Sequence, residues 1–144
     1  MEPVDPALIQ AGFNLIQQGL TIFDADLRLV GWNARFTEMF ELPDTLVFRG
    51  ADFADIIRYL LERGEYGPGP VEARVIERVE LARAFEDHYF ERDRPNGMTV
   101  SIEGHPLARG GWVAVYTDIT AYRRQERLLR ARSADLSEQL LQHS

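Results

Sequence analysis

The residue types that could perform nucleophilic or acid–base chemistry are sparse in this sequence. The 144 residues contain no cysteine and no lysine, so all 16 basic residues are arginine. These absences exclude a thiolate nucleophile, a disulfide, a thiolate metal site, a phosphate-loop lysine and a Schiff-base cofactor. The net charge of −7 disfavours nucleic-acid binding, which needs an excess of basic side chains to replace phosphate counterions. We therefore expect a chain that is not an enzyme and binds no nucleic acid.

Acidic pairs and histidines are the remaining residues that could hold a metal ion or accept a phosphoryl group. Asp24 and Asp26 follow the first predicted strand, as in a phosphoacceptor site, but that chemistry also uses a lysine, which this chain lacks. The three histidines are His88, His105 and His143, and no two of them have the spacing of metal ligands. No nucleophile, base and orienting residue group together along the chain. We therefore expect no catalytic residue and no metal site.

Hydrophobic periodicity and turn residues divide the chain into separate runs of strands and helices. The predicted elements are a helix over residues 6–18, strands over 20–24 and 28–32, helices over 34–40, 53–63 and 71–84, and strands over 88–94, 98–107 and 112–117. Gly19 is expected to end the first helix. In the fourth strand, we expect Val100 and Ile102 to face the core and Ser101 to face away. Because strands and helices are segregated and tight turns join the last strands, the pattern predicts an α+β domain with an antiparallel sheet.

The last segment, from Ile119 onward, predicts one long helix, since it contains no glycine or proline. In a heptad frame, position a holds Ile119, Glu126, Ser133 and Leu140, and position d holds Tyr122, Leu129, Leu136 and His143. A helix of about 25 residues reaches ~37 Å, which is beyond the core of a small domain. Such a helix is more stable when it pairs with another. We therefore expect a homodimer whose helices meet at Tyr122, Leu129, Leu136 and Leu140.

Several short sequence motifs follow one another in the order that characterises one family. Residues 19–33 predict a strand hairpin that ends in a helix-capping asparagine, and Asn33-Ala34-Arg35-Phe36 continues into the helix. Asn96-Gly97 lies at a later hairpin turn, and Asp118-Ile119-Thr120 lies where the last strand meets the final helix. Together these phrases make about residues 10–122 similar to a PAS domain, the sensor module common in bacterial signalling proteins. The loop over residues 63–69 resembles that of PAS domains in sensor histidine kinases and diguanylate cyclases.

The resemblance implies a five-stranded antiparallel sheet with helices over one face, enclosing a small cavity. It divides the chain into a flanking helix over residues 1–18, a PAS domain over 19–120 and a linker helix over 121–144. Large apolar side chains around the first helices and on the sheet mark where a ligand would bind. The candidate cavity residues are Trp32, Phe36, Met39, Phe40, Phe53, Ile57, Leu60, Val100, Ile102 and Val115.

The resemblance also implies that the last helix carries a signal to a catalytic module. Asp118, Ile119 and Thr120 are the expected relay, and Asp118 is also suited to cap the helix. We expect a non-catalytic sensory and dimerisation module of a cytoplasmic sensor histidine kinase, with a small-molecule ligand as a possible partner. Two alternatives stay open: a pure protein–protein interaction module that binds no ligand, and the sensor of a diguanylate cyclase.

The composition also bears on the cofactors of the resembled family. A light-sensing flavin adduct needs a cysteine and is therefore excluded. Haem needs a histidine, often on the central helix, and residues 53–63 contain none, so haem is not expected. No cofactor is required, while a flavin or metabolite held without a covalent bond stays open. The longest apolar run, Trp112–Tyr116, is far shorter than the ~20 residues of a membrane span, and no secretory signal is visible, so we expect a cytoplasmic chain.

Overall fold

All ten predicted elements are present in the structure, a computed structural model that describes residues 5–142. They are α1 (Pro6–Leu15), β1 (Gly19–Phe23), β2 (Leu29–Trp32), α2 (Ala34–Phe40), α3 (Phe53–Glu62), α4 (Val71–Arg83), β3 (His88–Asp93), β4 (Thr99–Pro106), β5 (Trp112–Asp118) and α5 (Thr120–Gln142). The predicted order and kind of each element are confirmed. Within the described range, no helix is both long enough and apolar enough to cross a membrane.

The end of α1 differs from the prediction, because the helix ends at Leu15 and Gly19 begins β1 instead of ending the helix. Ile16 already has extended backbone angles, with φ −71° and ψ 132°. A β-carbon on Gly19 would lie 3.1 Å from the α-carbon of Phe36 and 3.3 Å from the β-carbon of Tyr116. The glycine is therefore needed for the close approach of β1 to α2, and not for a helix stop.

The five strands form one sheet in the order β2-β1-β5-β4-β3, and every neighbouring pair is antiparallel. The chain passes from the β2 edge to the β3 edge through α2, α3 and α4, which pack on one face of the sheet. Gly97 has a φ of +89° in the hairpin turn between β3 and β4, a conformation that glycine adopts without strain. This arrangement confirms the predicted α+β fold.

Asn33 joins α1, β1 and α2 through its side-chain amide. The side-chain oxygen accepts hydrogen bonds from the backbone N–H groups of Phe36 (3.1 Å) and Leu20 (2.9 Å). The side-chain nitrogen donates to the carbonyls of Phe13 (2.9 Å) and Gln18 (2.8 Å). Asn33 is completely buried, and all four of its hydrogen-bonding positions are used, as a buried amide requires. The residue therefore caps α2 and also fixes where the flanking segment meets the sheet.

The start of β4 differs from the expected alternation, because Ser101 and Thr99 are both buried. The linker helix begins over this end of the strand. The Ile119 backbone N–H donates to the Thr99 carbonyl (2.9 Å), and the Thr99 N–H donates to the Thr120 hydroxyl (2.9 Å). The strand is therefore covered on both faces where α5 begins, and the Thr99 hydroxyl donates to the Asp93 carboxylate on β3 (2.7 Å).

Candidate functional site

Two small adjoining cavities lie between the sheet and the helices. The larger has a volume of about 60 Å³ and is lined by Phe23, Phe53, Ile57, Tyr66, Arg78, Leu81, Ala82, His88, Phe90, Arg92, Ile102, Trp112, Ala114 and Tyr116. The smaller has a volume of about 20 Å³, shares several of these residues, and extends toward α2 along Phe36, Phe40, Ile56 and Leu60. The structure thus brings six of the predicted cavity residues together, namely Phe36, Phe40, Phe53, Ile57, Leu60 and Ile102.

Three other predicted cavity residues belong to the core and line neither cavity. Met39 and Val100 are buried, and Trp32 is partly buried against the same cluster of core side chains. Val100 is fully buried between the sheet and the helices. These residues contribute to the packing of the helices on the sheet.

Val115 lies on the opposite face of the sheet from both cavities. It pairs with Leu20 on β1 and with Glu103 on β4, whereas its neighbours Ala114 and Tyr116 line the larger cavity. Successive side chains of a strand point to opposite faces. Because every residue from Trp112 to Tyr116 is apolar or aromatic, the alternation of polarity does not mark the inner face, and the expected placement of Val115 does not hold.

Aromatic rings occupy most of the space around the cavities. The ring of Tyr116 lies 5.1 Å from that of Phe36 and 5.2 Å from that of Phe40, and Phe23 meets Phe53 edge-on at 5.3 Å. Ligand pockets usually have volumes of about 300–1,000 Å³, which is several times the volume found here. A group of the size of flavin or haem therefore does not fit between these rings in their present positions.

Two arginines that are not among the predicted site residues line the larger cavity. The guanidinium carbon of Arg92 lies 3.7 Å from the centroid of the Tyr66 ring, and that of Arg78 lies 4.8 Å from the same centroid. Within the described range, neither forms a salt bridge with a carboxylate. Burial lowers the pKa of Arg92, the interaction with Tyr66 opposes this shift, and the nearby charge of Arg78 lowers the pKa further. Arg92 follows His88 and Phe90 at the inward positions of β3, so a charged residue at an inward strand position is the signal that identifies it.

His88 and Tyr116 supply neutral polar groups to the same cavity. The His88 ring lies 4.7 Å from that of Trp112, and burial together with the charge of Arg78 lowers the pKa of His88. Burial raises the pKa of Tyr116 to about 12, and its hydroxyl lies 3.4 Å from that of Thr21. At neutral pH the cavity therefore presents two cations, an uncharged imidazole and an uncharged phenol. Nowhere in residues 5–142 do three or more acidic or histidine side chains gather to hold a metal ion.

A second group of charges, outside the cavity, is fully paired. Arg94 donates from two nitrogens to the two carboxylate oxygens of Glu65, each at 3.0 Å, and from the third to the carbonyl of Met39 at 2.5 Å. Arg63 donates to the same carboxylate at 2.8 Å. Burial by itself would raise the pKa of Glu65, but these hydrogen bonds outweigh it and hold the pKa below its usual range. The pair fastens the β3–β4 hairpin to α2 and to the loop after α3.

The predicted relay residues form the junction between the sheet and α5. The Asp118 carboxylate accepts hydrogen bonds from the backbone N–H (3.0 Å) and the hydroxyl (2.5 Å) of Thr120. Burial by itself would raise the pKa of Asp118, but the Thr120 hydrogen bonds outweigh it and lower the pKa. The Thr120 hydroxyl also accepts a hydrogen bond from the Thr99 N–H, and the Ile119 N–H donates to the Thr99 carbonyl. Asp118 holds the same Thr120 hydroxyl, so all three residues of the Asp118-Ile119-Thr120 motif take part in connecting β4 with α5.

Arg123 makes a further connection one turn into the helix. Its guanidinium donates two hydrogen bonds of 2.6 Å to the carboxylate of Glu91 on β3, and it also pairs with Glu126 on α5. Residue spacing does not reveal this contact, because Glu91 lies 32 positions from Arg123 along the chain. The base of α5 is thus held by two neighbouring strands, β3 and β4.

The predicted dimer residues lie on the exposed part of α5. Tyr122, Leu129, Leu136 and Leu140 are between 58% and 72% exposed. From Arg127 to Leu141, every side chain that the structure describes is exposed. His143, assigned to the same heptad stripe, lies outside the described residues. A row of exposed tyrosine and leucine at heptad spacing is the pattern that favours pairing of helices.

The antiparallel sheet, the asparagine cap and the strand-to-helix junction define the class of the protein. The family model described as PAS fold matches residues 13–127. The chain therefore belongs to the PAS family, whose domains are generally non-catalytic sensory modules. Among curated proteins, none matches the sequence.

Solved structures with the same fold come from several sensor proteins. The PAS domain of Bordetella pertussis BvgS is 16% identical with a TM-score of 0.58, covering 90% of this chain and 96% of that one. The sensor region of a sensor histidine kinase is 21% identical with a TM-score of 0.51, covering 73% and 40%. The photoactive yellow protein domain of the histidine kinase Ppr from Rhodospirillum centenum is 13% identical with a TM-score of 0.50, covering 80% and 100%. At these low sequence identities, the TM-scores show that the fold is shared.

Proposed function

We propose that the chain is a sensory and dimerisation module that passes a signal from the cavity side of its sheet to its C-terminal helix. The observation that carries this proposal is the junction at which Thr120 and Arg123 fasten α5 to β4 and β3. A displacement of either strand moves the base of α5 through these hydrogen bonds. A ligand or partner that binds one position of the strands better than another therefore biases the position of the helix.

The output of this movement is a change in the pairing of two α5 helices. Leucine side chains that are more than half exposed in one chain gain stability when a second copy covers them. The a positions of the heptad are half polar, so the paired state is only moderately stable. A helix pair of this kind responds to a bias of a few kcal/mol.

Light scattering on two leucine variants tests the pairing. Leu129 occupies a d position, whereas Leu128 is equally exposed (63% against 58%) but lies outside the a and d positions. We expect the wild-type chain and Leu128→Glu to be dimers, and Leu129→Glu to be monomeric at the same concentration, because a charge at d cannot be buried unpaired. Equal masses for all three chains contradict the proposed dimer helix.

Hydrogen exchange tests the junction. Thr120→Val keeps the shape of the side chain but removes the hydroxyl that connects Asp118 with Thr99. We expect faster amide exchange in the first two turns of α5 and unchanged exchange in β1 and β2. Ser133→Ala, in the exposed part of the same helix, is the control. Equal exchange in both variants contradicts a mechanical link through Thr120.

We further infer that the chain works in the cytoplasm and that its output module is a histidine kinase. The resemblance of the 63–69 loop supports this inference, as do two neighbouring structures that come from sensor histidine kinases. A diguanylate cyclase is the alternative output. The coding sequence beyond residue 144 tests the choice: a histidine-bearing dimerisation helix with an ATP-binding domain supports the kinase, and a cyclase domain contradicts it.

A pure interaction module is the second candidate, and the small cavity volume of about 60 Å³ favours it. In this case the chain's own rings fill the cavity and a protein partner supplies the signal. Absorption spectra and native mass spectrometry of the purified chain distinguish the two candidates. A small molecule that co-purifies with the chain contradicts the interaction module. A chain that carries no small molecule, and whose Tm does not change when small molecules are added, supports the interaction module.

A further inference from the structure

Arg78 and Arg92 bring two positive charges to one cavity wall that offers no carboxylate. Both guanidinium groups lie against the Tyr66 ring, and both side chains are partly withdrawn from water. Among the residues that line this cavity, none is acidic. A charge taken out of water without a partner is destabilising. The cluster therefore offers a favourable site to an anion, which would supply the missing counter-charge.

We propose that the larger cavity binds a short-chain monocarboxylate, with its carboxylate at Arg78 and Arg92 and its carbon chain among the rings beneath them. This inference deepens the proposed sensory function and rests on it, since it names the ligand class that the module would detect. A planar guanidinium donates two parallel hydrogen bonds to a carboxylate, which lysine cannot do. Phe23, Phe53, Ile102 and Trp112 are among the apolar residues that line the same cavity.

The volume of the cavity limits the length of the ligand. One water-sized sphere needs about 10–15 Å³ in a comparable measure, so a cavity of about 60 Å³ accommodates roughly four to six non-hydrogen atoms. This corresponds to the range from acetate to butyrate. The apolar wall favours an alkyl chain over a second charged group or several hydroxyls, because these would lose their hydration without new partners.

An open groove connects the arginines with solvent. The groove has a volume of about 380 Å³, and Tyr66, Arg78 and Arg92 line it as well as the cavity. An anion in the groove therefore lies next to the two guanidinium groups that also line the cavity. The groove is also lined by Arg74 and Arg94 and by the carboxylates of Glu65 and Asp93, so arginines outnumber acids there by four to two and its local charge is positive.

The position of Arg92 links the proposed ligand to the junction with α5. Arg92 follows Glu91 directly on β3, and the two side chains point to opposite faces of the sheet. Glu91 holds Arg123 of α5 at 2.6 Å. A carboxylate that pulls Arg92 toward the cavity thus acts on the strand segment that anchors the helix.

A titration of the full chain with three probes tests the proposal. Sodium butyrate, the neutral isostere butyramide and sodium phosphate are compared at constant ionic strength by ¹⁵N NMR of arginine side chains and by thermal unfolding. We expect butyrate alone to shift the Arg92 Nε–H resonance and to raise the Tm. We expect Arg78→Gln and Arg92→Gln to weaken butyrate binding by about tenfold or more, and Arg83→Gln, an exposed arginine on the same helix, to leave it unchanged.

Each other outcome overturns a stated part of the proposal. Butyramide that binds as well as butyrate overturns the role of the arginines, phosphate that binds more tightly overturns the monocarboxylate class, and no response to any probe overturns the site. Should Arg92→Gln not fold, Arg92→Lys keeps the charge but not the planar fork, and an unchanged butyrate affinity in that variant overturns the bidentate contact. Light scattering on the same samples separates the two proposals: a dimer that ignores butyrate overturns only the ligand, and a monomer that binds butyrate overturns only the dimeric sensor.

Discussion

Arg92 and Arg94 lie two positions apart on one hairpin, and both reach toward the helices, yet their surroundings are opposite. Arg94 is 5% exposed, and each of its three guanidinium nitrogens has an acceptor, including both carboxylate oxygens of Glu65. Arg92 is half-buried against the Tyr66 ring, and no carboxylate in the described part of the chain pairs with it. One strand end therefore presents, side by side, an arginine paired with a carboxylate and an arginine whose partner is the Tyr66 side chain.

The difference distinguishes a charge that holds the fold from a charge that the fold leaves available. A buried ion pair with additional hydrogen bonds fixes how a hairpin, a helix and a loop meet, because breaking the pair leaves an uncompensated charge in the protein interior. A cation at a cavity without a carboxylate partner costs desolvation free energy, which a contact with an aromatic ring offsets only in part. Such local conflicts are typical of functional sites.

Breaking the paired cluster has the largest expected effect. Glu65→Gln leaves Arg94 buried with a neutral partner, and we expect the free energy of unfolding to fall by about 3 kcal/mol, measured by urea unfolding. Glu62→Gln, at an exposed position three residues earlier, is the control and should change stability by less than about 0.5 kcal/mol. A similar small change in both variants contradicts the structural role of the pair.

Crowding the wall of the larger cavity has the second-largest expected effect on stability. A β-carbon on Gly104 would lie 2.0 Å from the Trp112 ring and 2.6 Å from the His88 ring, and both rings line the cavity. We expect Gly104→Ala to lower the free energy of unfolding by about 1–3 kcal/mol and to weaken butyrate binding as these rings move. Gly12→Ala, in α1 with open space around it, should instead be neutral or raise stability by up to about 1 kcal/mol. Unchanged stability in Gly104→Ala contradicts the close packing.

Replacing the unpaired arginine has a smaller expected effect on stability. In Arg92→Met the lost contact with the Tyr66 ring is offset by removal of an unpaired charge, so we expect a change of less than about 1 kcal/mol. Arg94→Met on the same hairpin is the matched comparison and should cost about 3 kcal/mol, because Glu65 loses its main partner. Urea unfolding of both variants measures the order, and equal losses remove the distinction between the two arginines.

The pH dependence gives the smallest and most specific difference. Hydrogen bonds from Arg94 and Arg63 hold the pKa of Glu65 below its ordinary value of 4.5. The stabilisation is therefore fully present above about pH 4.5 and is lost as the pH falls through the lower folded-state pKa. We expect the urea midpoint of the wild type to fall more steeply below about pH 4.5 than that of Glu65→Gln. Parallel curves contradict this assignment.

Local interactions explain why so much of the fold is predictable. Asn33 caps α2 through a hydrogen bond to a residue three positions ahead, and Asn96-Gly97 forms its hairpin turn with a positive φ at the glycine. Asp118 bonds Thr120 two positions later. Helix starts and tight turns depend on neighbours within a few positions. Short sequence motifs therefore encode the order of the elements and the junction between β5 and α5.

The residues of the site are predictable only in part, since side-chain neighbours across the sheet are distant in sequence. Phe53, Ile57 and Leu60 lie on the apolar face of α3, and helical spacing alone places them toward the interior. Val115 has the right chemistry but the wrong face, because its strand is apolar on both sides. Periodicity identifies an element that will be buried, but not which of two equal faces meets the cavity.

The sequence by itself excluded the chemistries that need cysteine or lysine. It also determined the order of strands and helices, the capping residues and the heptad stripe of the last helix. Each of these depends on residue type or on short-range spacing. Only the tertiary structure decided that Arg94 pairs with Glu65, 29 positions away, while Arg92 and Arg78 meet at the Tyr66 ring without a salt bridge to any carboxylate among residues 5–142. Charges have no periodicity that specifies their partners, and the closing of the sheet against α3 and α4 determines which of them are paired.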